Sequence, residues 1–291
     1  MTFTSDELLE IVKASPACVA KHDKEGWLRL FARDAVVEDP VGSAPNRRGV
    51  MGGKSQDEVG RFYDTFIGPN EIRFEVKEDI VSGAHVLRDV VIHTRLSNGF
   101  EIAVPAHLLY EMKEEDGEVR IARLAAHWEL PRLSVQAMRG GVNGMRTLVE
   151  MGARMLRVQG VSGAVGYTRF MRGVFGRGRR AVEGVAEAIR KGDADALAGL
   201  FVDGEARIEL PYGELCTAAE AVGKVGSGAE VVVRDTTAAG YFATAVVDIR
   251  SLRYRSHSLA LFAFDSASKK IASARFYVGS TPGSEITPGP S

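Results

Sequence analysis

The stretch Phe31 to Gly42 reads F-A-R-D-A-V-V-E-D-P-V-G, and Phe201 to Gly213 reads F-V-D-G-E-A-R-I-E-L-P-Y-G. One inserted residue aligns the second on the first and puts Leu210 where the first has Asp39. A short helical pattern precedes each stretch and strand patterns follow it. The ends also correspond, R-L-A-A-H-W-E at 123–129 with S-A-R-F-Y-V-G at 273–279. Self-similarity of this kind marks an internal repeat, so the chain reads as a tandem duplication of one structural unit.

Within the first copy, Leu8, Leu9, Ile11, Val12 and Val19 give Ser5 to His22 a helical rhythm that Pro16 is expected to interrupt. Asp23 has the chemistry to cap a short helix over Lys24 to Phe31, with Trp27, Leu28 and Phe31 on one face. A-V-V-E-D then reads as a strand ended by Pro40. Ser55, with Glu58 three residues on, predicts a capping box and a helix to Ile67. Beyond it the period changes to that of strands over 71–80, 86–97, 100–113 and 119–130, separated by turn signals such as E-D-G at 115–117. The second copy repeats the order, with helices over 179–191, 194–201 (capped by Asp193) and 217–224. Its strands are expected over 205–210, 229–235, 239–252, 254–265 and 271–278. Helices first and a meander of strands after them predict an α+β fold, with helices covering one face of an antiparallel sheet.

The totals agree. A chain of 291 residues with 45% apolar composition can bury two cores. A net charge of -1 advertises no nucleic-acid partner. The two cysteines, Cys18 and Cys216, lack redox or metal spacing. The N-terminus, M-T-F-T-S-D-E-L-L-E, is acidic where a signal peptide is basic, and no apolar run is long enough to span a bilayer. A cytoplasmic location is therefore expected.

A short helix, V-E-D-P-x-G, a helix containing F-Y, and strands ending near an aromatic pair together resemble ketosteroid isomerase and the wider nuclear transport factor 2-like, SnoaL-like superfamily. The resemblance covers 5–130 well and 179–280 more weakly. It implies two tandem cone-shaped α+β barrels: a cone with a pocket over 1–135, a helical linker over 136–178, a degenerate second cone over 179–282 and a disordered tail over 283–291. Barrels of this family commonly pair through the outer sheet face, so an internal pseudo-dimer is expected. The resemblance also implies that Asp39 is the base that moves a proton between two carbons, and it carries the family's F-Y tyrosine onto Tyr63 and its late tryptophan onto Trp128. Two positions depart from the family. The oxyanion-hole tyrosine falls near Ser15, and the protonated aspartate falls at Leu108 or, one register step away, at His107.

Residue chemistry points to the same place. Asp39 ends a strand between Val36, Val37 and Val41, under the cover of Trp27 and Phe31, and an apolar surround raises a carboxylate's pKa and makes it a usable base. The other reading is a turn residue, since Asp before Pro is common there. Of six histidines, His85, His93, His107 and His127 lie in the first copy's strands. His93 and His107 are candidate substitute donors, His107 because its strand is otherwise apolar. A satisfied core histidine is the alternative for each. No metal-ligand spacing such as H-x-x-x-H is present, so neither metal nor cofactor is expected.

The segment between the copies has its own chemistry. Residues 131–180 hold ten arginines against one acidic residue, Glu150, and five of the eight methionines. Met138, Val142, Met145, Val149, Gly152 and Leu156 follow helical spacing, flanked by Arg139, Arg146 and Arg157. This is either a connector whose apolar face packs on its own two domains and whose arginines are solvated, or a helix that makes a peripheral contact with an anionic membrane surface, covers a ligand cavity or binds a partner. G-R-G-R-R at 176–180 lacks interleaved aromatics and does not read as a nucleic-acid patch. The function expected is isomerase-like proton transfer on a hydrophobic, ketone-bearing small molecule, steroid or polyketide-like, with cyclase or hydratase chemistry as variants. The alternative is a non-catalytic carrier of such a ligand, and Trp27, Phe31, Tyr63, His93 and Trp128 are the expected binding residues in either case.

Overall fold

The computed structural model describes residues 3–51, 54–96, 98–167 and 172–279, and the expected tail at 283–291 lies outside them. The chain divides into two compact units, residues 1–79 with 83–171 and residues 172–291 with 80–82.

In the first unit, α1 (Ser5–Ala20) begins at Thr4, whose hydroxyl accepts from the Glu7 amide while the Glu7 side chain accepts back from Thr4. It runs unbroken through Pro16, against the interruption expected from sequence. A proline there leaves the Val12 carbonyl without its helical donor, at a usual cost of about 3 kcal/mol. Arg88, 76 residues away in sequence, donates to that carbonyl at 3.2 Å and is itself held bidentate by Asp79 at 2.6 and 3.0 Å. A charge-assisted donor of this kind contributes ~1.5–3 kcal/mol, enough to offset most of the loss.

Asp23 caps α2 (Lys24–Arg29) by accepting from the Gly26 amide at 2.8 Å. The chain then enters β1 (Phe31–Glu38), β2 (Asn46–Met51) and β3 (Lys54–Asp57). The helix expected from Ser55 starts later, as α3 (Glu58–Phe62). Asp57 is its cap, accepting from Gly60 at 2.9 Å, while position 55 pairs in β3 and Glu58 accepts from the Arg47 amide instead. A π-helical turn over Tyr63–Ile67 continues α3. The meander follows as β4 (Glu71–Ser82), β5 (His85–Arg95), β6 (Glu101–Glu115) and β7 (Glu118–Trp128). The seven strands order β3-β2-β1-β7-β6-β5-β4, with β1 parallel to β7. α1 packs on β5 and β7 through Leu8, Val12 and Val19, all buried. Two more helices, α4 (Leu130–Arg139) and α5 (Gly141–Tyr167), complete the unit. α5 is interrupted at Gly160, which takes a positive φ of 72°.

The second unit opens with α6 (Phe175–Lys191) and α7 (Ala194–Gly199), the latter capped by Asp193 on the Ala196 amide at 2.8 Å. β8 (Ile208–Glu209), β9 (Leu215–Cys216) and α8 (Ala218–Val225) precede a second meander, β10 (Glu230–Ala239), β11 (Phe242–Arg250), β12 (Arg255–Phe264) and β13 (Ile271–Val278). Its sheet orders β10-β11-β12-β13-β8-β9. That is the first unit's order without a counterpart to β3, including the parallel pair, here β8 with β13. Both units are α+β domains. The repeated phrase occupies one place in each. The Val41 amide donates to the Ala126 carbonyl at 2.8 Å, and the Tyr212 amide to that of Phe276 at 2.7 Å. Glu38 holds Arg123 from β7, and Glu209 holds Arg275 from β13.

Candidate functional site

Strand alternation decides which residues of the first unit face inward. Glu38 pairs with Arg123 on the outer face, so Val37 and Asp39 turn inward. On β6, Ile102 and Val104 share a cavity with Ile92 and Thr94 of β5 and with Asp39. The cavity has a volume of about 190 Å³ and is closed by Phe62 and Phe66 of the α3 segment, Leu133 of α4 and Met151 of α5. Its polar groups are few: Asp39, Asn70, Thr94 and the indole of Trp128.

Asp39 and Trp128 are bonded. The indole Nε1–H donates to Asp39 Oδ1 at 2.6 Å. Loss of water around the carboxyl pushes its pKa up to about 6, a rise that the Trp128 hydrogen bond moderates by favouring the ionised form. By surface area Asp39 is only half-buried, but it stands on the cavity wall. Area facing an apolar cavity counts as accessible without solvating a charge as bulk water does, so the desolvation is the physically relevant quantity. A carboxylate of pKa near 6 is mostly ionised at neutral pH and a better proton acceptor than an ordinary one.

Asn70 was not singled out by the sequence. Its side-chain nitrogen donates to the Phe66 carbonyl at 2.8 Å, which fixes the amide orientation and leaves the buried Oδ1 without a partner. Asn70 lines the cavity, with that oxygen buried behind its wall. The turn G-P-N at 68–70 gave no signal beyond a loop, and Met151 and Leu133 lie in helices whose inward faces only tertiary packing reveals.

The other expected site residues fall elsewhere. Trp27 and Phe31 are buried with ring centroids 4.5 Å apart, and Tyr63 lies 5.5 Å from Trp27. None of the three reaches the cavity wall; Phe62 and Phe66, on either side of Tyr63 in the helical turn, do. His93 belongs to a separate, wider hollow with His22 and Arg73, and its ring pairs with Glu75 at 2.9 Å. His107, expected as a substitute donor, sits on the outer face, opposite His127 in the β6–β7 register and 3.6 Å from Asp89. It does not share the cavity with Asp39, because the side chains of 102, 104, 106 and 108 alternate inward and that of 107 does not. The aligned inward position is Leu108, which carries no donor. Ser15, at the family's tyrosine position, accepts the indole N–H of Trp27 at 3.1 Å and is not part of the cavity wall.

The second unit fills the corresponding place. Leu210 is completely buried in a continuous apolar core with Phe201, Ile208, Phe262 and Phe276. Where β7 ends in Trp128, β13 ends in Val278. Among the described residues no cluster of His, Cys, Asp or Glu could hold a metal ion, and no helix is long and apolar enough to cross a membrane.

Residues 12–124 match the SnoaL-like domain family. No curated protein matches the chain. Among solved structures, the delta 5-3-ketosteroid isomerase of a Mycobacterium species is 30% identical over 43% of this chain and 95% of its own, with a TM-score of 0.37. RV0760c of Mycobacterium tuberculosis, in complex with estradiol-17beta-hemisuccinate, is 27% identical over 43% of this chain and 96% of its own, at 0.38. A computationally designed 17-OHP binder is 25% identical over 43% and 95%, also at 0.38.

Proposed function

From the premise that this chain belongs, through residues 12–124, to the SnoaL-like family, we propose that its first unit is an enzyme of proton transfer. Its substrate is a hydrophobic, ketone-bearing molecule of steroid or polyketide-like size, and Asp39 is the general base. The observation that carries the proposal is the Asp39 carboxylate on an apolar cavity wall, raised to a pKa of about 6 and oriented by Trp128 Nε1 at 2.6 Å. Ionised Asp39 accepts a proton from the carbon next to the carbonyl, and the protonated carboxyl returns it to another carbon of the conjugated system. The base is regenerated and no other reactant is consumed. Trp128 holds one carboxylate oxygen and leaves the other to the substrate. The apolar wall excludes water that would otherwise solvate the carboxylate and exchange the proton.

The developing enolate oxygen needs a donor. Leu108 offers none and His107 faces outward, so the role is assigned to Thr94, whose side chain carries a hydroxyl and lines the cavity. A missing oxyanion donor costs ~3–4 kcal/mol of transition-state stabilisation, or 10²–10³ in rate. Leu108 is therefore the specific observation behind a second reading, a carrier that binds the same ligands without turnover.

Asp39→Asn separates the two. The amide keeps the carboxyl's shape and still accepts from Trp128 but cannot take a proton. Under the enzyme reading, conversion of a β,γ-unsaturated ketone to the conjugated enone falls by at least ~10²-fold while ligand affinity holds. Tight binding by the parent protein with no turnover would establish the carrier instead. The lost activity in the second unit follows from the same reading: with Leu210 in a filled core and no tryptophan beside it, the copy retains the packing and not the chemistry.

A further inference from the structure

α5 is apolar on two sides. One side faces inward: Met151 lines the cavity, and Gly144 fits so closely over α4 that a Cβ there would lie 1.9 Å from the Ala137 carbonyl oxygen. The other side carries the stripe singled out in the sequence, and it is open. Val142 is 85% exposed, Val149 69%, Leu156 53% and Met145 51%, with Met138 of α4 at 61%. The expectation that this stripe packs on its own domains is not met. Single exposed apolar residues are ordinary, whereas five at helical spacing on adjoining helices form a contiguous surface that calls for an occupant.

Charge identifies the occupant. Arg139, Arg146 and Arg157 flank the stripe, all exposed, and the one acidic residue of the segment, Glu150, is engaged by Arg146 at 2.7 Å. Arg139 and Arg157 have no ion pair among the described residues. An apolar strip bordered by guanidinium groups complements anionic lipid, with apolar side chains at the acyl boundary and arginines at the phosphates. We propose that α4 and α5 form a peripheral docking face for an anionic membrane surface, with Met138, Val142, Met145, Val149 and Leu156 entering the interface and Arg139, Arg146 and Arg157 meeting the headgroups. Because Leu133 and Met151 of the same helices wall the cavity, docking holds the cavity about one helix diameter, ~10 Å, from the lipid. A hydrophobic ligand then has a short path from bilayer to site, a consequence that rests on the proposed function.

The test is co-flotation of the full chain with vesicles of phosphatidylcholine alone or mixed with phosphatidylglycerol, at low and high salt. Binding is expected only with the anionic lipid, weakening as salt rises. Each arginine contributes about fivefold, so the triple change Arg139→Gln, Arg146→Gln, Arg157→Gln lowers partitioning by about 10²-fold. Val142→Ser with Val149→Ser and Leu156→Ser abolishes it. All six positions are exposed or flank the stripe, and unchanged thermal unfolding of the variants verifies that the fold is intact. Absence of binding by the parent, or equal binding by parent and arginine variant, overturns the proposal. A concentration-dependent dimer in sedimentation, dispersed by the serine variant, overturns it in favour of a second copy. Asp39→Asn is expected to bind vesicles like the parent, so a failed docking test and a failed enzyme test are distinguishable.

Discussion

Replacing Asp39 by Asn is expected to stabilise the first unit at alkaline pH and to leave it unchanged in acid. The carboxyl's folded pKa of about 6 lies above the ordinary 3.8, so burial favours the neutral acid over the anion. That preference contributes fully below pH 4 and is lost as pH rises through 6, because the folded protein must then hold a charge that the unfolded chain hydrates freely. The difference between the two pKa values is about two units, and at 1.36 kcal/mol per unit ionisation costs the fold about 3 kcal/mol at pH 8. Asparagine has the shape of the neutral acid and no such cost. For a unit of this size, 1 kcal/mol moves the melting temperature by ~2–4 °C, so the variant is expected to melt ~6–12 °C above the parent at pH 8 and level with it at pH 4. Both tryptophans, Trp27 and Trp128, lie in the first unit, so intrinsic fluorescence follows its unfolding, and Trp128 also reports the ionisation of its partner. Parallel stability profiles of parent and variant between pH 4 and 8 would refute the argument that Asp39 is desolvated.

Two further substitutions probe the frame around the site. Leu210→Asp puts a carboxylate into the second unit's filled core and is expected to destabilise that unit by on the order of 4 kcal/mol without adding turnover, measured by calorimetry and by the enone assay. Arg88→Met leaves the Val12 carbonyl and Asp79 without their donor, and a loss of ~3–5 kcal/mol in chemical denaturation is expected, because a buried charge has lost its partner.

Most of the fold was legible because the signals were local. Asp23 and Asp193 cap the helices they precede, and β6 ends and β7 starts at the turn signal at 115–117. Pro16 misled because its rescue comes from Arg88 on the Val12 carbonyl, a contact across 76 positions that no window along the chain contains. The start of α3 misled by two residues because Asp57 supplies the cap while position 55 is taken up in the backbone pairing of β2 with β3.

At the site, the repeated phrase and the family resemblance led to Asp39 and the resemblance to Trp128, and these two meet in the structure. The sequence could show that His107 and Leu108 lie on opposite faces of β6, but not which face is inside. That depends on register with β5 and β7, in which Ile102 and Val104 come to line the cavity. Asn70 was illegible because its significance is a hydrogen bond it lacks. The helical stripe on α5 was visible, and its exposure was not, because the helix buries a second apolar side around Met151 and frees the first.

The central claim is that Asp39 accepts the proton, and the pH dependence of kcat/KM for a β,γ-unsaturated ketone tests it most directly. The account predicts activity that is low in acid, half-maximal near pH 6 where the free protein's Asp39 ionises, level above that, and in Asp39→Asn lower by at least ~10²-fold with no step near pH 6. Activity half-maximal near pH 4, or a profile that survives unchanged in the asparagine variant, would contradict it.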